Sequence, residues 1–218
     1  MKISRGYGVW AGFLKCLVAI MFLSGAARAD TVTILALGDS LTAGYGLPQQ
    51  DGFVPQLESW LTDHGIDAKV VNGGVSGDTS AGGAARLDWV LTDEIDMVLV
   101  ALGANDMLRG IDPETTYTNL DTILSELAAR DLPGLLIGMP GPANFGPDYK
   151  AAFEGVFERL AQQHDVPLYP SFLAGLTDAA GSANDALRYL QSDGLHPTAE
   201  GVTLIVDALG PAVVTVLP

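Results

Sequence analysis

Apolar runs alternate with amphipathic stretches along most of this chain. Residues 31–37 are apolar and partly β-branched with no polar alternation, a pattern typical of a strand covered on both faces. A Gly-Asp-Ser cluster follows the run and predicts its end at a turn. Short runs of the same kind predict four further strands, over 68–71, 96–102, 135–138 and 166–169.

The stretches between these runs have helical periodicity. Residues 53–63 place apolar side chains three and four positions apart, and His64-Gly65 supplies a stop signal. The segment 170–197 has no clear period, so we expect it to be irregular. Further helices are predicted over 84–91, 113–130 and 149–164, and in a final stretch with Val202, Ile205, Val206, Leu209 and Val213 on one face.

Strands that alternate with helices indicate an α/β fold with a parallel sheet, because right-handed crossovers need an intervening helix. We predict a flavodoxin-like three-layer α/β/α architecture whose five strands lie in the order 2-1-3-4-5. The loops after strands one, two and three would then meet at the carboxyl edge of the sheet, where open α/β folds bind ligands. These loops are polar and rich in glycine, at 38–40, 72–80 and 103–106.

The first 29 residues have the pattern of a secretory signal peptide. Basic residues precede a short apolar run over 16–23, and Ala27-Arg28-Ala29 predicts cleavage before Asp30. The run is far shorter than the roughly 20 residues of a membrane span. We therefore expect a periplasmic or secreted protein without a stable membrane anchor, in which 30–218 form one domain.

Charge narrows the range of partners. The chain has 26 acidic and 11 basic residues and a formal net charge of −15, which argues against nucleic acid and disfavours anionic substrates. Its single cysteine, Cys16, lies in the predicted leader, so we expect no disulfide and no thiolate metal site. No P-loop, His-Glu-x-x-His motif or Gly-x-Ser-x-Gly elbow occurs, and we expect neither a metal nor a cofactor.

Ser40 directly follows the first predicted strand and is either a nucleophile or a turn residue. A serine nucleophile needs a base, and the chain has three histidines. His64 and His164 lie at predicted helix ends, where a capping role is expected. His196 follows the fifth strand, three residues after Asp193, whose carboxylate could orient the imidazole. The alternative for this pair is a plain turn that leads into the last helix.

Acyl transfer also needs donors for the developing oxyanion. Gly77 offers a backbone N–H, Asn105 an amide group and Ser40 its own N–H. Gly77 could instead be only a turn glycine and Asn105 only an Asx-turn residue. Their placement on adjacent loops favours the functional interpretation.

Four blocks of the sequence resemble those of the SGNH, or GDSL, hydrolase family, and within it the small exported thioesterase, lysophospholipase and arylesterase group. The resemblance implies a catalytic triad of Ser40, Asp193 and His196, with Ser40, Gly77 and Asn105 as the oxyanion hole. The blocks are Gly38-Asp39-Ser40-Leu41, Gly77, Gly103-Ala104-Asn105-Asp106 and Asp193-Gly194-Leu195-His196-Pro197.

Two positions depart from the family pattern. Ala104 stands where close relatives often have glycine, and Ala101 where they often have an acidic residue. The first change could alter the loop that carries Asn105. The second leaves open any preference for acyl chain length.

The sequence thus predicts a serine esterase or thioesterase that forms an acyl-serine intermediate on lipid-like or neutral carboxylic esters, lysophospholipids included. We expect a monomer. A carbohydrate acetylesterase of the same fold and a non-catalytic flavodoxin-like binding module remain alternatives. Apolar residues of the edge loops are candidates for an acyl pocket, although each could equally belong to the core or the rim: Met107, Leu108, Ile111, Phe145, Leu173 and Leu176.

Overall fold

The computed structural model describes Lys2, residues 31–141 and residues 143–218. Apart from Lys2, the predicted signal peptide lies outside these residues. So does Pro142, which belongs to the loop after the fourth strand.

A parallel five-stranded sheet forms the centre of the molecule, in the order β2-β1-β3-β4-β5. The central strand β1 pairs with β2 on one side and β3 on the other, and Leu35 lies opposite both Val71 and Val98. Ile34 to Leu37 are at most 1% exposed because helices cover both faces of the sheet. The predicted order is confirmed. The strands are β1 (Val32–Gly38), β2 (Ala68–Gly74), β3 (Met97–Ala101), β4 (Gly134–Ile137) and β5 (Leu168–Tyr169).

Ten α-helices are present in the described part of the chain. They are α1 (Ser40–Ala43), α2 (Phe53–Asp63), α3 (Ser80–Ala85), α4 (Leu87–Val90), α5 (Ala104–Leu108), α6 (Pro113–Ala129), α7 (Pro147–His164), α8 (Ala174–Ala180), α9 (Ala183–Ala186) and α10 (Ala199–Val214).

The longer helices form two groups around the sheet. Helix α10 packs against α2 and α8, whereas α6 packs against α3 and α7. Their apolar faces join those of the strands in one hydrophobic core, and this arrangement is the predicted three-layer architecture. No helix within the described residues is long and apolar enough to cross a membrane.

The structure corrects two predictions of local structure. The helix predicted over 84–91 is split into α3 and α4 at Arg86, whose guanidinium binds the Asp78 carboxylate and the Gly38 carbonyl. The segment 170–197 is not irregular, because it holds α8, α9 and a 3₁₀ turn at Leu187–Tyr189. Helices of four to seven residues are too short to show a clear 3.6-residue period.

Candidate active site

The turn after β1 presents Ser40 at the carboxyl edge of the sheet. Asp39 caps α1, since its carboxylate accepts a hydrogen bond of 3.0 Å from the Leu41 N–H. Ser40 is the first residue of that helix and is partly buried. Strand and cap together fix the direction of its side chain.

Ser40, His196 and Asp193 form a continuous chain of hydrogen bonds. His196 Nε2 lies 2.8 Å from Ser40 Oγ, and His196 Nδ1 lies 2.6 Å from Asp193 Oδ2. Asp193 Oδ1 also accepts the N–H groups of Leu195 and His196. The His196 hydrogen bond and these two N–H groups lower the pKa of the Asp193 carboxyl to about 2, so the carboxylate is ionised across the neutral range.

Gln191 ties the histidine loop to the serine loop. Its side-chain amide donates to the carbonyls of Tyr45 and Pro197, at 2.8 and 2.9 Å, and its backbone N–H donates to the His196 carbonyl at 2.7 Å. The Tyr45 ring lies 4.5 Å from the imidazole ring, measured between centroids. Neither residue could be assigned this role from the sequence, because a lone glutamine and a loop tyrosine belong to no motif.

Glycine conformations shape the two loops that carry the other predicted oxyanion donors. Gly77 has φ +86° and Gly103 has φ +117°, in the left-handed region that other residues rarely adopt. Gly103 directly precedes α5, in which Asn105 is the second residue. Arg109 connects the loops, since its guanidinium donates to the Gly77 carbonyl at 2.8 Å.

An open cleft of about 310 Å³ runs past Ser40 and is lined mainly by apolar side chains. It lies at the small end of the range for ligand sites. Gly77, Asn105 and His196 share the cleft with Ser40, so the structure brings these four predicted residues together. The remaining lining residues are Leu41, Tyr45, Ser76, Ala104, Met107, Leu108, Met139, Leu173, Leu190, Gly194 and Leu195.

Three of the six predicted pocket residues, Met107, Leu108 and Leu173, line this cleft. The other three do not, and that part of the prediction is corrected. Leu176 is 2% exposed and belongs to the core, whereas Phe145 is 45% exposed and packs against the Tyr149 ring. Ile111 accepts the Tyr149 hydroxyl at its carbonyl, away from the cleft lining. All six residues are predicted to lie in loops at the carboxyl edge of the sheet, and this alone does not show which of them line the cleft.

Asp39 is a second titratable group at the site, and no role was predicted for it from the sequence. It is 1% exposed, and its Oδ2 accepts a hydrogen bond of 3.3 Å from Asn105 Nδ2. Burial raises the pKa of its carboxyl from 3.8 to about 6, against the opposing effects of its hydrogen bonds and of His196. In the sequence, a role for Asp39 at the site was indicated by its position directly before Ser40.

The other two histidines lie at helix ends, as their sequence positions predicted, but only His64 caps its helix. His64 caps α2, stacks on the Trp60 ring and contacts the Trp60 carbonyl at 2.7 Å. His164 ends α7 and contacts Asp121 Oδ1 at 2.7 Å. Among residues 31–141 and 143–218, no three His, Cys, Asp or Glu side chains are grouped as a metal site would require.

At the edge of the sheet, beside an apolar cleft, a serine hydroxyl contacts an imidazole that a carboxylate orients. This arrangement defines a serine hydrolase. The comparisons with known proteins agree. Residues 36–204 match the model of the GDSL-like lipase/acylhydrolase family, so the chain belongs to that family, as the sequence blocks predicted.

Named relatives cover nearly the whole chain. It is 39% identical to esterase TesA of Pseudomonas aeruginosa over 181 residues, which are 83% of this chain and 86% of that protein. It is 36% identical to thioesterase 1/protease 1/lysophospholipase L1 of Escherichia coli K12 over 201 residues, 91% of this chain and 90% of that protein. The crystal structure of AlinE4, an SGNH-hydrolase family esterase, superposes with a TM-score of 0.69 at 41% identity, over 88% of this chain and all of that one.

Proposed function

We propose that this chain is an esterase or thioesterase that cleaves acyl esters through an acyl-Ser40 intermediate. The observation that carries the proposal is the hydrogen-bonded chain from Ser40 Oγ through His196 to Asp193, at 2.8 and 2.6 Å, on the edge of an apolar cleft. The relatives named esterase and thioesterase support it.

In the first half-reaction, His196 Nε2 takes the Ser40 hydroxyl proton as Oγ attacks the carbonyl carbon of the ester. The carbonyl oxygen becomes an oxyanion, which the N–H groups of Ser40 and Gly77 and the Asn105 amide stabilise. Asp193 holds the imidazole orientation and stabilises its positive charge. The carbon–oxygen or carbon–sulfur bond then breaks, and the leaving group departs with the proton from His196.

In the second half-reaction, His196 removes a proton from water as the water attacks the acyl-Ser40 carbonyl. The second tetrahedral intermediate uses the same donors and collapses to the free acid, as the carbon–Oγ bond breaks and His196 returns the proton to Ser40. Esters and thioesters share this chemistry, because both pass through a tetrahedral oxyanion at the same carbon. We therefore expect activity on both.

The cleft favours an acyl chain over a sugar. Seven of its 15 lining residues are leucine or methionine, which offer an alkyl chain dispersion contacts but offer sugar hydroxyls no hydrogen bonds. We propose neutral carboxylic esters and lysophospholipids as substrates. A carbohydrate acetylesterase would be expected to present more polar groups along the same lining.

A Ser40→Ala variant tests the mechanism. We expect kcat to fall by about 10⁴-fold or more, because the nucleophile is lost. Active-site phosphonate labelling of the wild-type protein, read by mass spectrometry, should mark Ser40 alone. Ser59→Ala is the matched control, since Ser59 is exposed on α2, and it should keep full activity. Substantial turnover by Ser40→Ala, or label elsewhere, would refute the assignment.

A series of p-nitrophenyl esters and matched thioesters, from acetyl to long acyl chains, tests the substrate class. We expect kcat/KM to rise with chain length beyond acetyl as methylene groups enter the cleft. A preference for acetyl over longer chains would instead support the carbohydrate acetylesterase.

We further propose that residues 1–29 are a signal peptide and that 30–218 act as one exported domain, a monomer without a stable membrane anchor. The charged start, apolar run and Ala-x-Ala site support export. Expression in a bacterial host followed by fractionation and intact-mass analysis should give a soluble periplasmic protein that begins at Asp30. Light scattering of the purified protein should give the monomer mass, and an uncleaved membrane-bound product would contradict the proposal.

A further inference from the structure

Asp39 lies between the proposed nucleophile and the proposed oxyanion-hole amide. It precedes Ser40 in the chain and is 1% exposed. Its two carboxylate oxygens have different partners. Oδ1 accepts the Leu41 N–H at 3.0 Å and caps α1, while Oδ2 accepts Asn105 Nδ2 at 3.3 Å. Only the first contact is accounted for by helix capping.

The contact between Asp39 and Asn105 selects one orientation of the asparagine amide. An amide can present either its NH₂ group or its oxygen, but an ionised carboxylate accepts hydrogen bonds and cannot donate them. Asn105 must therefore direct its NH₂ group towards Asp39 Oδ2. This group has two N–H bonds, so one serves Asp39 and the other is left for an oxyanion in the cleft that Asn105 lines.

We propose that Asp39 is a positioning residue that holds the Asn105 amide in the orientation that donates to the oxyanion. The inference rests on the proposed function, in which Asn105 is an oxyanion donor. A 3.3 Å hydrogen bond in the free enzyme is compatible with this role, because catalytic hydrogen bonds often shorten only in the reacting complex.

The same arrangement makes the orientation depend on pH. The titratable groups that act on Asp39 are His196 and Asp106, whereas the neighbouring side chains of the sheet and of the loop after β5 are apolar, as at Ile137 and Phe172. Burial raises the pKa of Asp39 to about 6. Below that pH the carboxyl gains a proton, can donate to the Asn105 oxygen and no longer selects the NH₂ orientation.

A double-mutant cycle tests whether Asp39 acts through Asn105. Asp39→Asn keeps the shape and the cap but adds a donor that favours the flipped amide. We expect kcat at pH 8 to fall about 10- to 100-fold in the Asn105 background, with KM changed less than about twofold. In an Asn105→Ala background the same change should lower kcat by less than about threefold. Equal losses in both backgrounds would overturn the inference.

The pH profile of kcat/KM gives an independent readout. In the wild-type enzyme protonation of Asp39 removes part of the activity, so the acid limb should be steeper near pH 6 than a single protonation makes it. Asp39→Asn removes this titration, so the acid limb of the variant should not exceed a slope of one. An acid limb of the same slope in both proteins would count against the role.

Thr42→Val is the control for disturbance of α1. Thr42 is buried in the same helix, and its Oγ1 has no hydrogen-bond partner among the residues that the structure describes. This nearly isosteric change should leave kcat and the slope unaltered. A loss as large as that of Asp39→Asn would assign the effect to helix packing instead.

Phosphonate labelling separates the two proposals. Wild-type protein that is not labelled at Ser40 would refute the proposed function and with it this inference. Labelled wild-type protein together with additive losses in the cycle would leave the proposed function intact and refute the positioning role alone.

Discussion

At the scale of single residues, Asp39 combines a role in positioning with a cost in stability. Its carboxyl is buried beside Asp106, and burial raises its pKa from 3.8 to about 6. The folded state therefore binds the proton more tightly than the unfolded chain does. The stabilising effect of this proton is complete below about pH 4 and is lost as the pH rises through 6.

We predict that Asp39→Asn stabilises the fold at pH 8. The variant has no charge to bury and keeps the cap on the Leu41 N–H, so the free energy of unfolding should rise by up to roughly 3 kcal/mol, the equivalent of the pKa difference. Urea denaturation of both proteins at pH 8 and pH 4 measures this effect. The difference between them should be largest at pH 8 and small at pH 4.

A variant of Asp39 that is less stable than wild type at pH 8 would show that the carboxylate is needed for the fold. Such a result would also remove the simplest reason to treat Asp39 as a functional group. A gain in stability with a loss of turnover is the combination typical of active-site residues.

At the scale of elements, the site depends on loops that are held together by a few side chains. Three such loops follow β1, β2 and β3, and the fourth carries Asp193 and His196 after α9. Arg109 connects the loops after β2 and β3 through the Gly77 carbonyl. Gln191 connects the histidine loop to the loop after α1 through the Tyr45 carbonyl. Contacts outside the proposed triad therefore help to set the separation of His196 from Ser40.

We predict that Gln191→Ala lowers kcat and the rate of phosphonate labelling of Ser40, each by about tenfold. Loss of the Tyr45 and Pro197 contacts should let the His196 loop move, and small errors of position slow proton transfer markedly. Steady-state kinetics and the rate of phosphonate labelling measure the effect. Gln162→Ala, an exposed glutamine on α7, is the matched control. Unchanged kinetics for Gln191→Ala would show that the remaining contacts suffice.

At the scale of the whole molecule, the formal net charge of −15 should influence which esters reach the cleft. A negative field repels anionic substrates at low ionic strength, and salt screens this repulsion. Neutral and zwitterionic esters do not experience it. The field thus favours the proposed substrates without any contact in the cleft.

We predict that added salt raises kcat/KM for an anionic ester and leaves it nearly unchanged for a neutral ester of equal chain length. Assays at low and high ionic strength with the two esters in parallel measure the effect, and the neutral ester is the internal control. If the two esters respond alike, the charge of the protein does not select its substrates.

Much of this molecule could be predicted from its sequence. The apolar run that ends at Leu37 indicated a strand buried on both faces, and the alternation of strands and helices indicated a parallel sheet, whose predicted flavodoxin-like strand order is the observed one. Because all strands are parallel, their loops had to meet at one edge, and the meeting of Ser40, Gly77 and Asn105 followed. The helices of four to seven residues within 170–197 escaped prediction because they contain too few turns for a period.

The sequence by itself determined the fold class and the family, and it predicted the residues that bear the chemistry, since these depend on local pattern and on residue types at motif positions. The tertiary structure alone decided that Leu176 is core while Leu195 lines the cleft, that Gln191 supports His196 and that Asp39 contacts Asn105. These relations depend on contacts between residues that are separated in the chain, and on the surroundings in which each side chain lies. Burial and hydrogen-bond partners depend on how the elements pack, and for Ser40 they supply the histidine that lies 156 positions further along the chain.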